Sequence, residues 1–293
     1  MRRVTHRGPQ GPGPRLIAMG TVVFLLLSGI AFAQQRPLVT EDPETIGAGR
    51  LLIEAGVDLE RDVFYPVSGL SGNRISIPTF GLSFGLSSMA EIQIDGGLYQ
   101  RLSVTDEQPA PLSTLLDFDG DQTTDVEDFV LATKIRLFTE AASRPALGLR
   151  FATKLPNASN ESGLGHDMTD FFASLLVAKT VQSIRVVGNA GVVILGDPTA
   201  SVPEQNDLLT YGLSVARALT TSAELVGEIT GRINAADEPD PGAESRAEVR
   251  LGGRYTRSAV RVDAGVILGL TSHDPKIGAT AGFTWVLDAF RVP

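Results

Sequence analysis

Between Asp117 and Asp128 the chain sets five aspartates, Asp117, Asp119, Asp121, Asp125 and Asp128, at positions 1, 3, 5, 9 and 12 of a twelve-residue stretch. Calcium takes several hard oxygens from a curled backbone, and this is the ligand spacing of an EF-hand or dockerin-type loop. Calcium is therefore the metal to expect here, although the sequence requires no cofactor. Gln122 stands where such loops carry the glycine of the sharp turn, so a solvated acidic loop is the competing reading. Other chemistry is poorly supplied. The absence of cysteine removes disulfides, thiolate metal sites and a thiol nucleophile. Outside the first 33 residues only His166 and His273 remain, and Ser162 beside His166 is the nearest approach to a nucleophile and base. The chain reads as a non-enzyme, with an outer-membrane lipid enzyme as a third reading.

A larger set of charges occupies alternate positions of apolar segments. Glu54, Asp58, Glu91, Asp95, Lys134, Arg136, Arg150, Lys154, Arg185, Glu224, Glu228, Arg232, Glu248, Arg250, Arg261 and Asp263 all fall on the polar side of a period-two pattern. If those segments cross a membrane, the charges must face a lumen, because a charge on the lipid face costs roughly 2–4 kcal/mol at mid-depth. Acids dominate the first and third segments, bases the fourth and fifth. Two readings are open: a polar conduit whose transverse field orients a solute, or a cross-strand ion-pair lattice that holds register. Long side chains such as Arg136, Arg150, Arg250, Glu228 and Glu91 are expected to meet across the lumen. Gly81, Gly85, Gly97, Gly265 and Gly278 are expected to leave an eccentric, constricted passage beside them.

The elements that must carry these residues are strands. Ile277, Ala279, Ala281, Phe283, Trp285 and Leu287 alternate with Gly278, Thr280, Gly282, Thr284 and Asp288, so one face suits lipid and the other a polar interior. About twelve such segments are expected, over 48–60, 74–86, 89–103, 127–139, 144–155, 168–180, 183–195, 208–219, 222–233, 245–256, 258–270 and 276–289. Each has the length a tilted strand needs to cross a bilayer, and their number is even, as in single-chain bacterial barrels. Connections alternate short and long. Ser87-Ser88, Ala141 to Ser143, Gln182, Thr220-Thr221 and Arg257 mark the short turns; 61–73, 104–126, 156–167, 196–207, 234–244 and 272–275 mark the other end. All long loops then emerge on one side, as in barrels with periplasmic turns and extracellular loops. Tyr65, Tyr99, Tyr211, Tyr255 and Trp285 are candidates for interfacial positions, and Phe290 for an assembly signal near the C-terminus.

The first 33 residues read as a cleaved signal peptide: Arg2, Arg3, Arg7 and Arg15 precede an apolar run ending in Ala31-Phe32-Ala33. They hold four of the 25 basic residues and none of the 34 acidic ones, so the net charge moves from −9 to −13 on removal. Nucleic acid is not an expected partner of such a chain. The expected layout is a signal peptide over 1–33, a periplasmic or plug segment over 34–47 and an all-β, transmembrane, antiparallel up-and-down barrel over 48–293. Its expected location is the outer membrane of a Gram-negative cell. The partners to expect are outer-membrane lipid, the barrel-assembly machinery and a small-molecule solute.

Pro37 to Gly47 (PLVTEDPETIG), followed by Gly49 to Glu54 (GRLLIE), resembles the opening of the "MetA-pathway of phenol degradation" family of outer-membrane transporters. Val126 to Lys134 (VEDFVLATK) is similar to that family's Asp-then-Lys strand, and Leu155-Pro156 to the end of its next strand. The departure is Asn157-Ala158-Ser159, where the family places a Gly-Ser pair. The resemblance implies an outer-membrane barrel that passes hydrophobic or aromatic compounds, and it implies no catalytic residues. The expected function is accordingly passive or facilitated passage of small, hydrophobic or aromatic molecules. The alternative is a non-transporting structural or adhesion barrel whose acidic loops bind cations.

Overall fold

The computed structural model describes residues 36–199 and 205–290. The expected signal peptide over 1–33 lies outside the described residues. Among the described residues fourteen strands, all antiparallel, form one closed sheet. They are β1 (Arg50–Tyr65), β2 (Leu70–Gly85), β3 (Ala90–Gly97), β4 (Gln100–Glu107), β5 (Gln122–Asp125), β6 (Phe129–Phe138), β7 (Ala146–Leu155), β8 (Asp170–Val181), β9 (Ile184–Gly196), β10 (Gln205–Ala218), β11 (Ala223–Ile233), β12 (Arg246–Arg257), β13 (Val260–Gly269) and β14 (Ile277–Asp288). The ladder from Arg50↔Asp288 to Arg61↔Ile277 joins β1 to β14 and closes the ring of strands.

Twelve staves make the wall, the number expected, because β3 with β4 and β5 with β6 are each one stave interrupted midway. The first interruption has a local cause. Pro78 sits inside β2 opposite the Leu98-Tyr99 gap, and proline cannot donate to a ladder. The neighbouring Ile77 N–H still donates to the Tyr99 carbonyl at 2.8 Å, so the sheet resumes at once.

The long loop expected over 61–73 is instead a continuation of β1 and β2 that turns at Pro66–Gly69. Asp62 takes a left-handed conformation (φ 54°), and the register shifts between Glu60 and Val63. Such a bulge inserts one residue and flips the parity of the residues beyond it, so a period-two reading stops there. The same flip corrects Tyr65. It turns inward, packs against the Leu70, Leu102 and Leu164 cluster, and sets its hydroxyl 3.4 Å from Arg74.

Burial is inverted relative to a water-soluble sheet. Phe171, Leu209 and Leu213 are 53%, 60% and 51% exposed, whereas Lys134, Glu91 and Thr284 are fully buried. Apolar side chains thus form the outer belt and polar ones fill the interior. At the long-loop end, loops lie over the strand ends. Ser68 Oγ donates to the Gly163 carbonyl at 2.8 Å, Asp117 N–H to the Glu161 carbonyl at 2.9 Å, and Ala243 packs with Val193, Leu195 and Leu208.

One test of this wall is Leu213→Arg, which puts a charge on the lipid face. Urea-dependent refolding into liposomes should show a loss of about 2–4 kcal/mol if Leu213 lies near mid-depth; no loss would place β10 outside the membrane.

Candidate functional site

The inner wall carries charges that its own strands do not fully pair, and residues 36–49 supply the missing partners. This segment runs around the inside of the barrel, meeting the strands in nearly descending order. Arg36 lies among β1, β2, β13 and β14. Its guanidinium donates to Thr79 Oγ1 at 3.1 Å and Thr280 Oγ1 at 2.9 Å, and stands 3.6 Å from Asp263 and 3.9 Å from Asp58. Arg254 Nε donates to the Arg36 carbonyl at 2.7 Å. Next, the Val39 and Thr40 amides each donate to the Glu228 carboxylate of β11 at 2.8 Å, and Thr40 Oγ1 adds a third bond at 2.6 Å.

Glu41 is the centre of the circuit. Asn189 of β9 grips its backbone on both sides, accepting from the amide at 2.7 Å and donating to the carbonyl at 2.8 Å. The Glu41 carboxylate then reaches Arg150 at 3.0 Å and Lys134 at 3.3 Å, and Lys134 also meets Glu91 at 2.9 Å. Asp42 receives a forked pair of bonds from Arg185 at 2.5 and 2.6 Å. Glu44 pairs with Arg136. Finally, the Ile46 amide donates to Glu91 at 2.7 Å, and Gly47 and Gly49, both at positive φ, turn the chain into β1.

The wall is shaped for this strap. A Cβ on Gly85 would strike the Gly47 carbonyl; on Gly148 it would meet Pro43, on Gly212 Thr40, and on Gly252 or Gly265 Pro37. The expectation of an eccentric, constricted passage along the glycines is therefore corrected. Gly85 and Gly265 are covered by the strap, Gly97 by Glu127, Gly278 by Glu60, and Gly81 by Asp95 and Glu54. Small residues were needed for packing a second layer, and that layer fills the space they leave.

The other expected lumen charges pair within the wall. Glu54 accepts from Thr284 at 2.9 Å, Asp95 meets Arg150 at 3.4 Å, and Lys154 bridges Asp128 at 3.0 Å and Asp170 at 2.8 Å. Glu224 lies 3.7 Å from Arg261 and 4.0 Å from Arg254, while Arg250 lies 3.3 Å from Glu248 and 3.9 Å from Glu228. Arg232 donates to the carbonyls of Glu244 and Gly242. Arg150 does not meet Arg250 or Glu228 across the lumen as expected, because Glu41 intercepts it. Sequence reasoning missed Arg36, Thr40, Glu41, Asp42 and Glu44 as lumen groups, since residues 36–49 have no periodicity to place them.

The twelve-residue calcium loop does not form. Gln122–Asp125 is strand β5, paired with Gln100 to Ser103, so the backbone is extended where a calcium loop must curl. Asp125 accepts from the amides of Val126 and Ser159, and Asp128 from those of Asn157 and Ala158. Among the described residues no group of three or more acids or histidines is placed to hold a metal ion. Ser162 Oγ donates to the Ser159 carbonyl at 2.9 Å and accepts from the Leu164 amide, so it is engaged within its own loop rather than with His166. His166 lines a cavity of about 310 Å³ at the long-loop end, among the upper parts of the strands and the loops. Burial first, then the nearby Lys154, pushes its imidazole down to about 4.

No family model matches the chain, and no curated protein matches it in sequence. Among solved structures, the COG4313 outer membrane channel from Pseudomonas putida F1 superposes with a TM-score of 0.62 at 13% identity, over 84% of this chain and 98% of that one. The NanC porin gives 0.48 at 9% identity over 83% of this chain and 100% of its own. The translocator domain of autotransporter NalP from Neisseria meningitidis gives 0.45 at 13%, over 82% and 88%. At 13% identity the likeness to the COG4313 channel is one of fold, a barrel of the outer-membrane type. The narrower family resemblance of the strap and of Val126 to Lys134 finds no match beyond those short motifs.

Two outcomes test the site. Lys134→Met leaves Glu91 buried without its cation and should cost about 3–5 kcal/mol in unfolding measurements on the refolded barrel. His166 should titrate near 4 by NMR, below the ordinary 6.5. The folded loop then binds a proton less readily than the unfolded chain. Stability from the neutral ring is intact above the ordinary value and is lost as pH falls towards the folded one. Protease access to 156–169 should rise across that interval in the natural chain and not in His166→Gln.

Proposed function

We propose that this protein is an outer-membrane channel for small molecules, narrowed by a strap that lines its lumen. The supporting observation is a closed barrel, apolar outside and polar inside, that keeps a cavity of about 310 Å³ at its long-loop end. In this reading residues 1–33 are the removed export signal, 34–47 the lumenal segment and 48–293 the barrel. The outer belt meets outer-membrane lipid, the barrel-assembly machinery inserts the chain, and the long loops face outward. A small hydrophobic or aromatic solute fits both the resemblance of the strap sequence and the cavity's apolar lining by Phe64, Phe172 and Leu195.

A specific observation favours a second reading, a structural barrel that transports nothing: Lys134 and Glu91 are fully buried in a lattice of ion pairs. Planar-bilayer recording separates the two. The natural mature chain should show small single-channel conductance, well below that of a wide porin, because side chains and strap occupy a twelve-stave lumen. Glu41→Gln with Asp42→Asn removes the carboxylates that face Lys134, Arg150 and Arg185. It should raise conductance several-fold and shift selectivity towards anions. An unchanged conductance would mean the strap is not the constriction, and silence in both proteins would establish the structural reading.

A further inference from the structure

The cavity at the long-loop end has an unbalanced pair of charges. Arg232 of β11 and Arg246 of β12 are direct partners across the ladder, and both line it. Like charges set opposite each other on adjacent strands repel. The other cations on this wall are neutralised: Arg74 by Glu60, and Lys154 by Asp128 and Asp170. Among the described residues, Arg232 and Arg246 have no carboxylate within ion-pair distance. Arg232 is held by carbonyls, Glu244 O at 2.9 Å and Gly242 O at 2.6 Å, which fix its plane without cancelling its charge. Arg246 Nε is buried and has no hydrogen-bond partner among the described residues.

The acids of the same layer stand outside ion-pair distance of the two arginines. Glu244 accepts from the Gly242 amide and Asp274 from the Ala247 and Thr271 amides, each keeping one buried carboxylate oxygen without a hydrogen-bond partner, and neither lines the cavity. Glu248, which does line it, bonds Arg250 at 3.3 Å. A guanidinium pair in a partly desolvated pocket is suited to a carboxylate, which takes forked, charge-assisted bonds. The wall also carries the apolar Phe64, Phe172 and Leu195 and the carboxylate of Asp197, which accepts from the Thr199 amide and hydroxyl, and His166 adds no charge because it stays neutral. The cavity's volume falls at the lower end of the range for small-molecule sites.

We propose that this cavity binds an organic carboxylate with an apolar body, its head between Arg232 and Arg246 and its body along Phe64 and Phe172. The proposal rests on the channel reading and names the class of solute that such a channel would hold at its long-loop end.

Calorimetry on the full mature barrel in detergent tests it, with benzoate as the probe and benzamide as its uncharged twin. Benzoate should bind saturably and benzamide should not. Arg246→Gln and Arg232→Gln should each weaken benzoate by roughly ten- to a hundredfold, the scale of a lost charge-assisted bond. Arg246→Lys should restore part of the loss. Heat-modifiable migration on gels reports whether each variant is folded, and the benzoate-to-benzamide comparison needs no variant. Equal binding of the two probes, no saturable binding of benzoate, or unchanged affinity in both glutamine variants would overturn the proposal. Benzoate binding to a barrel that conducts nothing would keep the site and remove the channel; conductance without benzoate binding would do the reverse.

Discussion

The contact on which the rest of the interior depends is that of Glu41 with Lys134 and Arg150. Lys134 is fully buried, and an ammonium out of water is tolerable only with close counter-charge and hydrogen bonds. Glu91 supplies one carboxylate from the wall, and Glu41 supplies the second from the strap. Because Asn189 clamps the Glu41 backbone on both sides, the position of that carboxylate is set by the wall itself. The segregation of charge by strand then has a physical explanation. The basic staves β6, β7 and β9 face Glu41, Asp42 and Glu44, while the acids Asp58 of β1 and Asp263 of β13 face Arg36. One short segment carries both signs in the order in which the wall presents their opposites.

Much of the wall was legible in the chain, because a stave with lipid on one side and polar groups on the other has to alternate. The reading failed where alternation itself breaks. The Asp62 bulge hid the upper part of β1 and turned Tyr65 inward, and the interruptions opposite Pro78 and at 126–128 are invisible to a count of apolar residues. The charges on the polar side of each segment were read from the same parity. Whom they meet could not be read that way, since the partners lie in a segment that forms no strand and whose path is set only by the glycines beneath it. The acidic run shows the opposite failure. Its spacing suited calcium, but Thr123 and Thr124 are β-branched residues within reach of β4, and strand pairing claimed the backbone that the metal would have curled. The pairing of Arg232 with Arg246 needed register, which alternation alone does not supply.

The strap also limits how such a barrel can open. Its bonds are individually modest, but they share groups: Glu41 serves Lys134 and Arg150, Glu91 serves Lys134 and the Ile46 amide, and Glu228 serves two amides and a hydroxyl. Removing the whole segment would strand several buried charges at once, each at the several-kcal/mol penalty of an unpaired buried ion. Movement of the Arg36 end alone strands fewer of them, chiefly the buried Asp263. Arg36 is the weakest of the clamps to carboxylates, at 3.6 and 3.9 Å, whereas Asp42 and Arg185 share a forked pair at 2.5 and 2.6 Å. A passage that widens by shifting the Arg36 end, while Glu41 and Asp42 stay fixed, would leave the buried Lys134 neutralised. It would free space beside Gly56 and Gly282, where Arg36 now lies against β1 and β14. The ion-pair distances along the strap therefore put its looser contacts to carboxylates at mid-barrel and its tighter ones towards the short turns.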